Sequence, residues 1–438
     1  MAVRLFNLLK PDRNILYGSA QDSLEEAVAS GNLSAVNAVD GQFVAVAQRG
    51  NVVRCARTLG AVGRYMVLEK GGDAWVVLSD RIDHIRGFCQ EHDLLGQFNP
   101  YYTRMVPAHY LVDLRFDNAG VIPRVSYSRF FTPGADALPP DIMAVGQAYI
   151  GALHEEVRRF LQWLPTDVPL GVLLSGGVDS SSVLATFLHV LDQMNQPRQR
   201  IRTFTLVVDG GGTDLAHAAQ VVEALGVKDS WLPVPIGKRE ISIEAAIGTM
   251  EDYHVLDIQG VAVLMPLVAG IRSRLRDELR WLVDGDGGDE NLRSYPIQDS
   301  HLDLDPVLDI PLLYHEGWGI DAVRHNSTFT SGLSRAYVRT YAPLDRYGFR
   351  GASPYTSRRL VEVSSRIPFR TLTTGSEERL YHLKGDVVHA GVKAVLGMEF
   401  PIFPKARFQQ GCMPTSVFDR RLRGTKTRFR RVFEASYG

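Results

Sequence analysis

The chain has little cysteine, no long unbroken apolar run and almost no net charge. Three cysteines in 438 residues, Cys55, Cys89 and Cys412, stand too far apart to build a zinc site by themselves. So sparse a supply points to a reducing, cytoplasmic setting rather than a disulfide framework. No run of eighteen or more apolar residues occurs, so no membrane span is expected. Met1-Ala2-Val3-Arg4-Leu5 lacks the charged, apolar and small-residue regions of a secretory signal. A formal charge of −1 argues against a dedicated nucleic-acid binder, which would be strongly basic. Repeats and low-complexity tracts are absent too. What remains is a globular composition, 45% hydrophobic and 22% charged, in a chain long enough that two domains are expected.

The most informative stretch is Gly171-Val172-Leu173-Leu174-Ser175-Gly176-Gly177-Val178-Asp179-Ser180-Ser181-Ser182. Val168 to Leu174 is short and apolar, as a buried parallel strand is. From Val178 to Leu191, Val183, Leu184, Phe187, Leu188 and Leu191 recur at helical spacing. The spacing predicts a strand that turns through Ser-Gly-Gly into a helix N-terminus. Adjacent glycines let a ligand approach main-chain N–H groups with no Cβ in the way. With the helix dipole and the Ser175, Ser180 and Ser181 hydroxyls, those groups suit phosphate oxygens. No lysine stands in the loop, so it is not the G-x-x-x-x-G-K-[ST] type. Asp179 would repel bare phosphate and fits better as a ligand of Mg²⁺ bridging to it. The plain alternative, an ordinary Gly-Gly turn, does not account for the serines and aspartate around it.

This stretch resembles the pyrophosphate-binding loop of the ATP pyrophosphatase superfamily, in its asparagine synthetase branch. The resemblance implies an α/β fold, with a doubly wound parallel-sheet synthetase domain behind an N-terminal Ntn-type (αββα) domain. It also implies that ATP is cleaved to AMP and pyrophosphate as a carboxylate is activated. The nucleotide contacts it implies are Leu174, Ser175, Gly176, Gly177, Asp179, Ser180 and Ser181, with Val207 at the end of the strand Arg202 to Val208 lying against adenine.

Before that loop, residues 1–135 read as strands joined by turns. Gln42 to Gln48 and Val52 to Ala56 flank Arg49-Gly50-Asn51, and Arg64 to Glu69 and Ala74 to Ser79 flank Lys70-Gly71-Gly72-Asp73. Pro107 to Leu114 adds a strand. The order, with Asp40-Gly41-Gln42-Phe43 before the hairpins and Ser79-Asp80-Arg81-Ile82 after them, resembles the glutaminase domain of glutamine-dependent asparagine synthetases. There a cysteine after the initiator methionine is the nucleophile. Here that residue is Ala2, so 1–135 is expected to be an inactive glutaminase-like domain with a structural role. Pro133-Gly134 to Pro139-Pro140 reads as a linker, and Asp141 as the cap of a helix carrying Val145, Tyr149, Leu153, Val157 and Phe160 on one face. Residues 136–438 then form the ATP-dependent synthetase domain.

Further on, Trp281-Leu282-Val283 leads into Asp284-Gly285-Asp286-Gly287-Gly288-Asp289-Glu290. A calcium loop would place its ligands differently, and the end of a strand in an α/β domain is where ligands bind. The stretch resembles the family's second signature, with Gly285 near the nucleotide and Asp289 sharing Mg²⁺ with Asp179. Asp286 departs from the glutamate of asparagine synthetases and the tyrosine of β-lactam synthetases, and is taken as the proton acceptor or ammonium holder. Gly348 to Tyr355 resembles a family stretch in which Arg350 falls where a glutamate belongs. His254 and Asp257 stand in a segment resembling the substrate wall. Phe403-Pro404-Lys405-Ala406-Arg407-Phe408 resembles the family's lysine motif, implying that Lys405 meets the α-phosphate and the developing oxyanion. Lys384 is a candidate phosphate contact. The basic tail Arg420 to Arg431 reads as a helix over the site mouth or a solvated end.

Together these readings imply an ATP- and Mg²⁺-dependent ligase that adenylates a carboxylate and lets an amine displace AMP. The amine is expected in the same small amino-acid-like molecule, closing a ring such as a β-lactam in natural-product biosynthesis, by analogy with β-lactam synthetases. The alternatives are an intermolecular ligase, either an ammonia-dependent asparagine synthetase or a lasso-type macrolactam cyclase, then a tRNA-modifying member, then a catalytically dead nucleotide binder. No membrane or nucleic-acid partner is expected, and a homodimer is the candidate assembly.

Overall fold

The computed structural model describes residues 1–117, 120–294, 303–311, 339–404 and 408–437. In the first part, period-two alternation builds two sheets that share one interior. One sheet joins Val3–Asn7, parallel, to Asp73–Ser79, then runs antiparallel through Arg64–Lys70 to Arg104–Met105. The other is antiparallel in the order Arg124–Arg129, Tyr110–Arg115, Val52–Arg57, Val44–Arg49. Val46, Val53, Cys55, Val112 and Leu114 of the second sheet meet Tyr65, Ala74, Val76 and Leu78 of the first. The opposite faces are covered by helices. Ala45, Ala56 and Leu111 lie under Gln21–Ser30 and Leu33–Ala38, and Met66, Leu68 and Val77 under Ile82–Glu91. The result is four layers, helix–sheet–sheet–helix.

Asp141 caps the next helix, Ile142–Trp163, its carboxylate accepting from Ala144 N at 2.8 Å. The second part is built on a five-stranded parallel sheet in the order Trp231–Ile236, Ile201–Val208, Leu170–Leu173, Trp281–Val283, Arg350–Ala352. The chain moves outward from Leu170–Leu173 on one side, then returns to build the other. The order therefore reverses between Leu170–Leu173 and Trp281–Val283, which is where an open α/β sheet leaves a crevice at its carboxyl edge. Hydrophobic cores fill both faces of the sheet.

The sequence suggests a helix from about Val261 to Glu278, but the helix runs Val255–Leu275, because it is apolar all round and shows no helical periodicity to mark its start. It is also long and apolar enough to cross a membrane by composition, although two thirds of its most apolar window is buried inside the fold. The C-terminal helix Lys426–Tyr437 does not sit over the crevice. Phe429 and Phe433 are fully buried, and Phe433 meets Tyr101 and Tyr253 at the seam between the two parts.

That seam is tightly bonded. Glu251, at a positive φ of 55°, accepts from Ile82 N at 2.7 Å and Asp83 N at 2.8 Å, and so caps a helix of the first part. It also pairs with Arg81 at 3.1 Å. Tyr341 OH donates to Asp80 at 3.1 Å, Gln42 Nε2 to Ser353 O at 3.3 Å, and Arg13 to Phe349 O at 2.7 Å.

Candidate functional site

Two loops leave the carboxyl ends of the two strands at the reversal point and face each other. The first follows Leu170–Leu173 and enters the helix Val178–Gln193 at Gly177. Gly176 has a φ of 78°, and a Cβ there would lie 2.6 Å from His217 Cβ, so the loop is pressed against the helix Thr213–Ala224. Ser175 Oγ accepts from Gly177 N at 3.2 Å, and Ser180 Oγ accepts from Ser175 N at 3.2 Å. No side chain caps the first turn of Val178–Gln193, so its leading N–H groups point toward the crevice unclaimed by a cap.

The second loop follows Trp281–Val283. A Cβ on Gly285 would come within 2.9 Å of Asp179 Cβ, and one on Gly288 would overlap Asp179 Oδ1. These glycines therefore let the second loop close on the first. The approach brings Asp179 and Asp289 to one point. Lys384, from the helix Glu377–Gly391, bridges them: its ammonium bonds Asp179 Oδ2 and lies 2.5 Å from Asp289 Oδ1. Burial alone would push this ammonium down, but the two carboxylates outweigh it and raise its pKa, so it stays charged.

A cavity of about 1170 Å³ opens from this point. Leu174, Ser175, Gly177, Asp179, Ser180, Gly285, Asp286, Asp289 and Lys384 all line it. Gly176, Ser181 and Val207 do not stand among its lining residues; Ser181 is fully buried beneath the loop, and Val207 is buried in its strand behind Leu206. Lys405 lies outside the described residues.

Asp286 is partly buried. Its Oδ2 accepts from Arg339 N at 3.0 Å, and its Oδ1 lies 3.5 Å from the Arg339 guanidinium. Burial raises its pKa above the ordinary carboxylate range, with Asp284 and Glu290 adding to the shift and Arg339 opposing it. Asp284 Oδ1 accepts from Asp286 N at 2.9 Å and from Ser353 Oγ at 2.6 Å, and burial raises Asp284 as well. On the opposite wall, His254 Nδ1 lies 2.9 Å from Asp257 Oδ2. Arg350 does not line the cavity; its guanidinium rides on the Trp281 ring at 4.6 Å.

Three lining residues acquire their place in the site only in the folded chain. Asp284 stands inside the second motif, but its depth behind Asp286 is a tertiary fact. Arg339 stands just before the helix Tyr341–Arg346 and belongs to no motif. His217 stacks on Phe403, with ring centroids 3.9 Å apart and planes 4° apart, a contact across more than 180 residues of chain.

Residues 152–344 match the family described as asparagine synthase. The chain is 24% identical over 291 residues to asparagine synthetase [glutamine-hydrolyzing] 1 of Lotus japonicus, a match covering 65% of this chain and 45% of that protein. It is 33% identical over 141 residues to asparagine synthetase [glutamine-hydrolyzing] 2 of Arabidopsis thaliana, covering 32% of this chain and 24% of that one. The matches thus span less than half the length of these relatives. A solved U34-tRNA thiolase, NcsA from Methanococcus maripaludis with its [4Fe-4S] cluster, aligns over 66% of this chain and 80% of its own at 12% identity. Its TM-score of 0.27 is too low to speak to the fold. Over the aligned segments the chain is therefore similar to asparagine synthetases. The matched family segment holds both facing loops, while Lys384 lies beyond it.

Proposed function

We propose that the chain is an ATP-dependent, amide-forming ligase that adenylates a carboxylate and passes the acyl group to an amine. The observation that carries this reading is the meeting of Asp179 and Asp289, about a hundred residues apart in sequence, across one lysine at the mouth of a phosphate-ready helix. The donor set fits Mg²⁺ shared with a substrate. Two facing carboxylates are what that ion takes from a protein when phosphates and water fill its other positions. Among the described residues no cluster of three or more metal-ligating side chains occurs. Asp179 and Asp289 would hold the ion, which when bound neutralises phosphate charge.

The other residues have separable tasks. Ser175, Gly177 and the first turn of Val178–Gln193 receive phosphate oxygens. Phe204, Leu206, Leu264 and Leu267 make an apolar wall of the cavity suited to a nucleobase. Asp286, kept from ionising as early as an exposed carboxylate, takes the proton from the attacking amine. Lys405, on the strength of its motif alone, stabilises charge on the α-phosphate and the acyl oxygen. Lys405→Ala is expected to cut turnover by about 10²–10³ while nucleotide affinity, measured by titration, stays near wild type.

The four layers of residues 1–135 support reading them as a glutaminase-like domain. With Ala2 in place of the thiol, the amine comes from the substrate itself or a second substrate. Ring closure of an amino-acid-like molecule, β-lactam formation included, is the preferred form, in a cytoplasmic enzyme of residues 1–135 and 136–438. Incubation with ATP, Mg²⁺ and a panel of amino acids, read by mass spectrometry, tests this. AMP, pyrophosphate and a product lighter than its acid by one water are expected. A product that has gained an amine component identifies an intermolecular ligase, and ADP in place of AMP overturns the proposal.

A further inference from the structure

The helix Thr213–Ala224 brings one more carboxyl to the cavity. Asp214, in its first turn, lines the cavity and is 5% exposed. Its Oδ2 is buried with no hydrogen-bond partner. On its other side the wall is backbone: a Cβ on Gly411 would overlap Asp214 Oδ1. No described cation pairs with this carboxyl, and burial without compensation raises its pKa to about 7. A buried, unmatched carboxyl is costly to a fold, and this one borders the same cavity as Asp179 and Asp289.

Its place along the helix narrows what it could meet. His217, one turn further on, is pressed against Gly176 of the phosphate-ready loop. Residues three apart on a helix have Cβ atoms about 5–6 Å apart. Asp214 therefore stands about one helical turn from the residue pressed against the phosphate-ready loop, in a cavity that Leu206 and the apolar wall also line. In a nucleotide, the group between phosphate and base is a ribose. Vicinal hydroxyls are donors, and a carboxylate is the acceptor that nucleotide-binding α/β folds use for them.

We propose that Asp214 reads the ribose of the nucleotide, its carboxylate accepting from the 2′- or 3′-hydroxyl once a side-chain rotation turns Oδ2 out of the wall. The inference rests on the nucleotide reading above and adds to it a residue that neither signature motif contains. Because Asp214 contacts neither Lys384 nor the facing carboxylates, its role is separable from that of the phosphate end.

Titration of the full-length protein with Mg²⁺ and ATP, 2′-deoxyATP or 3′-deoxyATP tests it. Wild type is expected to bind ATP about ten- to a hundredfold more tightly than one of the two deoxy forms, the range of a lost hydrogen bond to a charged group. Asp214→Asn, which keeps the shape of the side chain, is expected to shrink that ratio to near one. Equal binding of all three nucleotides by wild type overturns the inference without needing the variant, as does full discrimination retained in Asp214→Asn. Wild-type protein that binds no ATP removes the nucleotide reading and this inference together. ATP binding without sugar discrimination removes this inference alone.

Discussion

At the scale of single residues, Lys384 governs the electrostatics of the crevice. Without it, Asp179 and Asp289 would face each other as like charges in a buried corner. Lys384→Met is expected to destabilise the protein by about 3–5 kcal/mol, the cost of breaking a buried pair. Millimolar Mg²⁺ should restore part of that loss by supplying a replacement cation. Thermal melts with and without Mg²⁺ check this; a variant as stable as wild type, or one indifferent to the ion, would detach Lys384 from the two carboxylates. Asp286 makes a second residue-scale prediction. An acid whose pKa is raised in the folded state loses stability as pH climbs through that pKa, and gains basicity over the same interval. Amine attack should therefore rise with pH above the region near 4 where an ordinary aspartate titrates. Asp286→Asn should abolish that rise and slow amine attack more than adenylation, measured as product formation against pyrophosphate release. Equal loss in both steps would make Asp286 a positioning residue.

At the scale of elements, the site depends on how closely two loops approach. Gly288 sits where any side chain would strike Asp179. Gly288→Ala should push the second loop outward, costing about 1–3 kcal/mol by overpacking and weakening nucleotide binding at least as clearly as stability. Intact ATP affinity in a folded Gly288→Ala protein would show that the loops need not touch. Elements were also where the sequence was most and least legible. The Ser175–Asp179 loop could be read because strand, glycines and amphipathic helix are consecutive in the chain. Five strands of the first part, Val44–Arg49, Val52–Arg57, Arg64–Lys70, Asp73–Ser79 and Tyr110–Arg115, emerged from alternation and Gly turns, within a few residues. The start of Val255–Leu275 did not, since a helix buried on every side has no polar face to set its phase. Arg339, Asp214 and the His217–Phe403 stack were illegible for a different reason. Each acquires its role from a neighbour distant in sequence, and no local pattern encodes that neighbour.

At the scale of the whole molecule, the first part braces the back of the crevice. Gln42 holds Ser353, which bonds Asp284. Arg81 and the Ile82–Glu91 helix hold Glu251, three residues before His254. Those braces lie in two short segments, Asp40 to Phe43 and Ser79 to Ile82. Glu251→Ala should cost about 3–5 kcal/mol, since it leaves Arg81 without its buried partner and the helix start without its acceptor. Hydrogen exchange should then rise across both 82–91 and 251–257; an increase confined to one of the two would mean the parts are held elsewhere.

Arg64 carries this bracing into the order of events during synthesis. It is 2% exposed in the finished protein, and the acids that offset its charge are Glu251 and Asp252. A ribosome working from the amino end therefore produces a nascent half whose arginine waits, hydrated, for acids still untranslated. The charge at this join is offset only once residues 251 and 252 have emerged, just past the middle of the chain.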